Sequence, residues 1–94
     1  GIAEMYRVLG MIFTRKQAWT TAQELFADSL KITEEVSCPL DTAETYRELG
    51  EMHRRKGDKK EALRTFQSAL KRFRKLGAKR DAEDVERRIT GLEA

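Results

Sequence analysis

Apolar residues return every three or four positions along this chain, in stripes divided by short polar breaks. That spacing places them on one face of an α-helix. Tyr46, Leu49 and Gly50, with His53 below, form one stripe, and Ala62, Phe66, Ala69 and Leu70 form another. Between them, Lys56-Gly57-Asp58-Lys59 reads as a helix stop followed by a start. Gly57 suits the left-handed conformation that closes a helix. Asp58 suits the cap of the next, with Glu61 three residues on completing a capping box. The stretch predicts a helical hairpin. Its glycine and alanines let two backbones approach closely, and Tyr46 and Phe66 fill the space around them.

The hairpin occurs twice. Displaced by forty positions, Tyr6, Leu9, Gly10, Ala22, Phe26 and Leu30 fall on Tyr46, Leu49, Gly50, Ala62, Phe66 and Leu70, and 12 of the 36 positions from 2 to 37 are identical to those from 42 to 77. A fixed period of this size marks a stacked repeat array. Helices are expected from 2 to 16 and from 19 to 37. Cys38-Pro39-Leu40 then breaks the chain, because proline cannot continue a helix. A third helix, capped by Asp41 with Glu44 in capping-box position, is expected to end near Lys56. A fourth runs from 59 to Leu76 and stops at Gly77. A fifth, capped by Asp81, covers 81 to 93.

The order of aromatic, two residues, Leu-Gly, then Ala, Phe and a small residue resembles the tetratricopeptide repeat. That family's usual unit is about 34 residues; the forty-residue spacing here resembles its long-helix variant, found in signalling scaffolds and regulators. The resemblance implies an all-α solenoid: two antiparallel helical hairpins plus a capping helix, five helices in a right-handed superhelix. Residues 1–94 then form a single domain, with repeat one at 2–37, repeat two at 42–77 and the capping helix at 81–93. It also implies a non-enzymatic protein-interaction module, holding a peptide or partner segment in a concave groove lined by the first helix of each unit.

The two ends differ. In helix five, Glu86 stands in the register of Tyr46, Ile89 in that of Leu49 and Thr90 in that of Gly50, so the aromatic and the small residue are gone. Ala82, Val85, Ile89 and Leu92 leave one apolar stripe, which suits a terminal cap with a polar outer face. Repeat one is instead apolar where repeat two is charged: Val8 against Glu48, Met11 against Glu51, Trp19 against Lys59, Ile32 against Arg72. Helix one also begins with no capping residue before it. The expectation is a fragment of a longer protein whose open end is covered by further repeats or by self-association through Val8, Trp19 and Ile32, giving a homodimer.

Charge refines the groove. Arg7, Arg47 and Arg87 recur at the period, each three residues after an acid, Glu4, Glu44 and Asp84. One reading is a set of i,i+3 surface pairs, each worth roughly 0.2–0.5 kcal/mol. The other is a basic ladder that meets the carboxylates of an extended, acidic partner through bidentate hydrogen bonds. Met11, Arg15, Glu51 and Arg54 complete the expected lining, with Glu48 and Glu51 diluting the positive field. Relatives that hold the acidic tails of chaperones use asparagines at the positions of Met11, Glu51 and Gly91. This chain contains no asparagine, so that partner is not expected.

The remaining composition narrows the classes. Net charge is +3, with residues 1–40 at 4 basic against 5 acidic and the rest at 15 against 11. Lys71, Arg72, Arg74, Lys75, Lys79 and Arg80 make a basic run around Phe73, and a solvated helix face is favoured there over a nucleic-acid surface. No apolar run has the length of a membrane span. Cys38 is alone, so no internal disulfide forms and a cytoplasmic location is expected. Cys38 and His53 fall short of the ligands a metal site needs. No serine or threonine has a paired base, and no glycine-rich phosphate loop occurs. No catalytic residue, cofactor or metal is expected.

Overall fold

The computed structural model describes residues 1–93, as α1 (Ile2–Arg15), α2 (Trp19–Glu35), α3 (Pro39–Lys56), α4 (Lys59–Leu76) and α5 (Lys79–Glu93). Among the described residues there is no strand. Consecutive helices pack against each other, and α3 also touches α1. The result is a slab of 34 × 31 × 17 Å, two helices thick, with α1, α3 and α5 in one layer and α2 and α4 in the other.

Every connection closes in the same way. Gln17, Ser37, Gly57 and Gly77, twenty residues apart, all take positive φ, at 61°, 54°, 93° and 72°. The next amide reaches five residues back: Ala18 to Phe13, Cys38 to Thr33, Asp58 to His53 and Ala78 to Phe73, at 2.8–3.0 Å. These bonds satisfy carbonyls left open at each helix end. Only two of the four positions are glycine.

The helix starts depart from the aspartate caps expected at 41 and 81. α3 begins at Pro39 and α5 at Lys79, two residues earlier in each case. Proline at the first helical position has its φ already set and lacks an amide that would go unbonded there anyway. Asp41 and Asp81 instead lie within the first turns, where a negative charge suits the helix dipole. Asp58 does cap α4, accepting from the Glu61 amide at 3.2 Å. The capping box is only half formed, because the Asp58 amide is already bonded to His53 and the Glu61 carboxylate turns to Arg64 at 3.4 Å.

Two glycines decide how closely the hairpins close. A β-carbon at Gly10 would lie 2.7 Å from the Phe26 ring, and one at Gly50 would lie 2.5 Å from the Phe66 ring. Both rings are fully buried. Around Phe26 gather Ala22 and Met52, with Met11, Phe13, Trp19 and Leu49 at the margin. Around Phe66 gather Ala43, Ala62, Ala69, Phe73, Ala82, Val85 and Leu92. At the other end of the α2–α3 interface, away from Met52, the interior is polar. Ser29 lies 3.3 Å from Thr45 and donates to the Ala3 carbonyl at 2.8 Å, while Thr42 donates to Thr33 at 2.9 Å. Buried hydroxyls of this kind are tolerated because each finds a partner.

Candidate partner-binding groove

The first helix of each unit lines one face of the slab, and near its centre α1, α3 and α5 enclose a groove of about 210 Å³. Met11, Thr14 and Arg15 come from α1, Glu48, Glu51 and Arg55 from α3, and Arg88 from α5. Thr14 is tied down, its hydroxyl donating to the Gly10 carbonyl at 2.8 Å. Glu51 is the hub of the charges. It accepts from Arg54 at 2.9 and 2.6 Å and from Arg55 at 3.0 Å, and Arg88 stands 3.6 Å away. Burial pushes the Glu51 carboxyl up, but the Arg54 and Arg55 hydrogen bonds and the Arg54 and Arg88 charges outweigh it and hold its pKa below the ordinary value. Glu48 shows the opposite balance. Burial raises its pKa despite Arg88 and Arg47 nearby, and its Oε2 is buried without a hydrogen-bond partner. Arg15 is exposed and forms no ion pair among the described residues.

The recurring arginines are engaged between helices. Arg7 reaches from α1 to Glu44 of α3 at 3.0 Å, and Arg47 reaches from α3 to Asp81 and Asp84 of α5 at 2.8 and 3.5 Å. Arg47 also lies over the Phe73 ring, 5.0 Å from its centre. These pairs repeat at forty residues and brace one unit against the next. Arg87 is the third of the set, and it is exposed, with Asp84 of its own helix 3.9 Å away.

A tetratricopeptide repeat family model matches residues 1–75. The chain belongs to the tetratricopeptide repeat family. No curated protein and no solved structure matches it. As a tetratricopeptide repeat protein it carries the architecture of a protein–protein interaction scaffold, from a family that is generally non-enzymatic.

Of the lining expected for this tetratricopeptide repeat domain, Met11, Arg15 and Glu51 meet in the groove, and Arg54 sits at its edge through Glu51. Arg7 and Arg47 face acids of neighbouring helices instead. Arg88 was not anticipated. The signal was its register, since Arg88 stands forty after Glu48 and eighty after Val8. At the other end Val8 is exposed, whereas Trp19 and Ile32 are half-buried and Trp19 packs against the cluster of Ala22, Phe26 and Met52.

In the basic run Phe73 is fully buried, Arg72 lies 4.5 Å over the Tyr46 ring, and Arg74 bonds Glu86 at 3.1 Å. His53 is buried, and burial pulls its pKa below the ordinary value against the charges of Glu61 and Asp58. Among the described residues no three His, Cys, Asp or Glu side chains converge as metal ligands would. No helix is long and apolar enough to cross a membrane.

Proposed function

We propose that this domain is a non-enzymatic interaction module that holds an extended segment of a partner protein in the groove of α1, α3 and α5. The observation that carries this is the groove's pair of unmet polar groups. Among the described residues Arg15 is a cation without a counter-charge and Glu48 Oε2 is a buried acceptor without a donor. An acidic side chain set against Arg15 would supply the missing counter-charge. Met11 supplies the apolar contact between them. Homotypic assembly through Val8, Trp19 and Ile32 has less support, because Trp19 packs against the chain's own core and of the three only Val8 is exposed. A nucleic-acid surface on α4 has less support because Arg72 and Arg74 are already occupied.

The test is fluorescence anisotropy with two labelled octapeptides, one of alternating glutamate and alanine, the other of lysine and alanine. The glutamate peptide should bind, weaken with added salt, and be lost on Arg15→Glu. Arg64→Glu, on an exposed part of α4, should leave binding unchanged. Preference for the lysine peptide, or equal binding to the wild type and Arg15→Glu, would overturn the reading.

A further inference from the structure

In the layer of α2 and α4, a second crevice of about 760 Å³ opens between the last turns of those two helices, over the first turn of α3. It shares no residue with the groove of α1, α3 and α5. Its volume lies within the range of roughly 300–1,000 Å³ typical of ligand sites. The polar groups beneath it are satisfied. Thr42 donates to Thr33 at 2.9 Å, and Thr33 donates to the Leu30 carbonyl at 3.2 Å, both residues being buried. Its apolar lining includes Pro39 of α3 and Leu76 of α4, both exposed.

What the crevice lacks is an anion. Lys71, Arg72 and Lys75 line it from α4, and Glu34 is the one acid among its lining residues. Lys71 and Lys75 are exposed, and of α4's cations only Arg64 and Arg74 meet an acid among the described residues. Arg72 is the decisive group. Every other half-buried arginine among the described residues has a carboxylate: Arg7 has Glu44 at 3.0 Å, Arg47 has Asp81 at 2.8 Å and Arg88 has Asp84 at 3.0 Å. Arg72 has none. Its Nη1 donates to the Ser68 hydroxyl at 2.6 Å, and its guanidinium lies 4.5 Å over the Tyr46 ring. These contacts hold the cation in place without neutralising it. Stacking uses the face of a guanidinium and leaves its in-plane N–H groups available. A side chain ordered before binding also costs less to order on binding.

We infer that the α2–α4 crevice is a second docking site, and that its occupant is an acidic segment of a partner protein with an apolar residue beside its carboxylates. A carboxylate meets the planar fork of Arg72, Lys71 and Lys75 add charge at the rim, and the apolar side chain covers Leu76. A flat lipid surface would reach the two lysines but not the half-buried guanidinium.

Cys38 lines this crevice and is the chain's single cysteine, so its alkylation by iodoacetamide reports occupancy of this site and not of the other groove. The probe is a nonapeptide of three glutamate-glutamate-leucine repeats, set against one of lysine-lysine-leucine. At ten times its half-saturating concentration the acidic peptide should slow alkylation about tenfold, and the basic one should not. Arg72→Gln and Lys75→Glu should each raise the half-saturating concentration by about tenfold. Lys75 is exposed, so that variant keeps the fold even if Arg72→Gln loosens the contact with Tyr46. Arg64→Glu, on the same helix but outside the crevice, should change nothing. Unaltered alkylation with the acidic peptide, equal protection by both peptides, or protection that survives Lys75→Glu undiminished would overturn the inference. So would equal protection by phosphatidylserine vesicles, since a lipid surface would then be the occupant.

Discussion

Replacing Gly50 with alanine adds one methyl group, and on an isolated helix that change is favourable by about 1 kcal/mol. In this fold the outcome should be the opposite. The new β-carbon would sit 2.5 and 2.6 Å from two carbons of the Phe66 ring and 3.1 Å from a third. No carbon pair tolerates such distances, and the ring cannot swing into solvent because it is fully buried among Ala43, Ala62, Ala69 and Phe73. The α3–α4 hairpin must open instead. Overpacking of this kind costs roughly 1–3 kcal/mol, of which the helix preference returns part. The net loss, up to about 2 kcal/mol, corresponds to a fall in melting temperature of up to about 15 °C for a domain of this size. Circular dichroism melts of Gly50→Ala and Gly91→Ala make the comparison, because a β-carbon at Gly91 meets nothing within 4 Å. Gly91→Ala should be neutral or slightly stabilising. Phe66→Leu shortens the opposing ring, so in that background Gly50→Ala should lose most of its cost, a coupling on the order of 1 kcal/mol. If Gly50→Ala melts no lower than Gly91→Ala, close approach is not the reason for the glycine.

Three further outcomes follow from the geometry. Gln17 and Ser37 hold positive φ without being glycine; Gln17→Gly and Ser37→Gly should each stabilise by about 0.5–1 kcal/mol in thermal melts, the relief of left-handed strain less the added freedom of the unfolded chain. His53 has its pKa lowered by burial, so the fold keeps it neutral and the unfolded chain binds the proton first. Its contribution is complete above the unfolded value of about 6.5 and is lost as pH falls through it toward the lower folded value. Urea unfolding at several pH values should show His53→Phe, which copies the Phe13 seat, gaining most over the wild type at acidic pH. The side chain of Arg47 is 17% exposed and that of Arg87 is 73% exposed. Arg47→Ala should therefore cost about 1 kcal/mol by uncovering the Phe73 ring and removing the cation from Asp81, since Asp84 keeps Arg88 at 3.0 Å, while Arg87→Ala should leave the melting temperature unchanged.

The hairpins were legible because their determinants are local. Gly10, Ala22 and Phe26, and again Gly50, Ala62 and Phe66, carry both helical spacing and side-chain size, and those two properties fix where the helices touch. The turn glycines at 57 and 77 were legible for the same reason. Gln17 and Ser37 were not, because their left-handed backbone is imposed by the packed helices on either side rather than by their own preference. The caps misled because an aspartate in the first turn and an aspartate at the cap both sit near a helix start. Pro39 settles the matter for α3 at a position where its ring is welcome. The hydroxyl layer of Ser29, Thr33, Thr42 and Thr45 had no signature at all, since threonines in a helix usually face water or their own carbonyls.

The arginines show why the groove was harder to read than the fold. Arg7 and Arg47 each have an acid three residues before them and another thirty-seven after, and a linear pattern does not say which one the guanidinium meets. The near acid stands on the same helix surface, where water competes with it. The far acid stands across a helix interface, where the partners are half-buried and the contact is 3.0 Å for Glu44 and 2.8 Å for Asp81, the latter three residues short of the periodic position. Burial decides in favour of the far acid. With these two arginines holding the units together, the proposed recognition rests on the groups the fold leaves unmet. That moves the chemistry of the groove from a ladder of three cations to one cation, Arg15, beside one buried acceptor, Glu48. On the proposed reading, a partner is selected by where along its chain an acid can meet Arg15, rather than by its total negative charge.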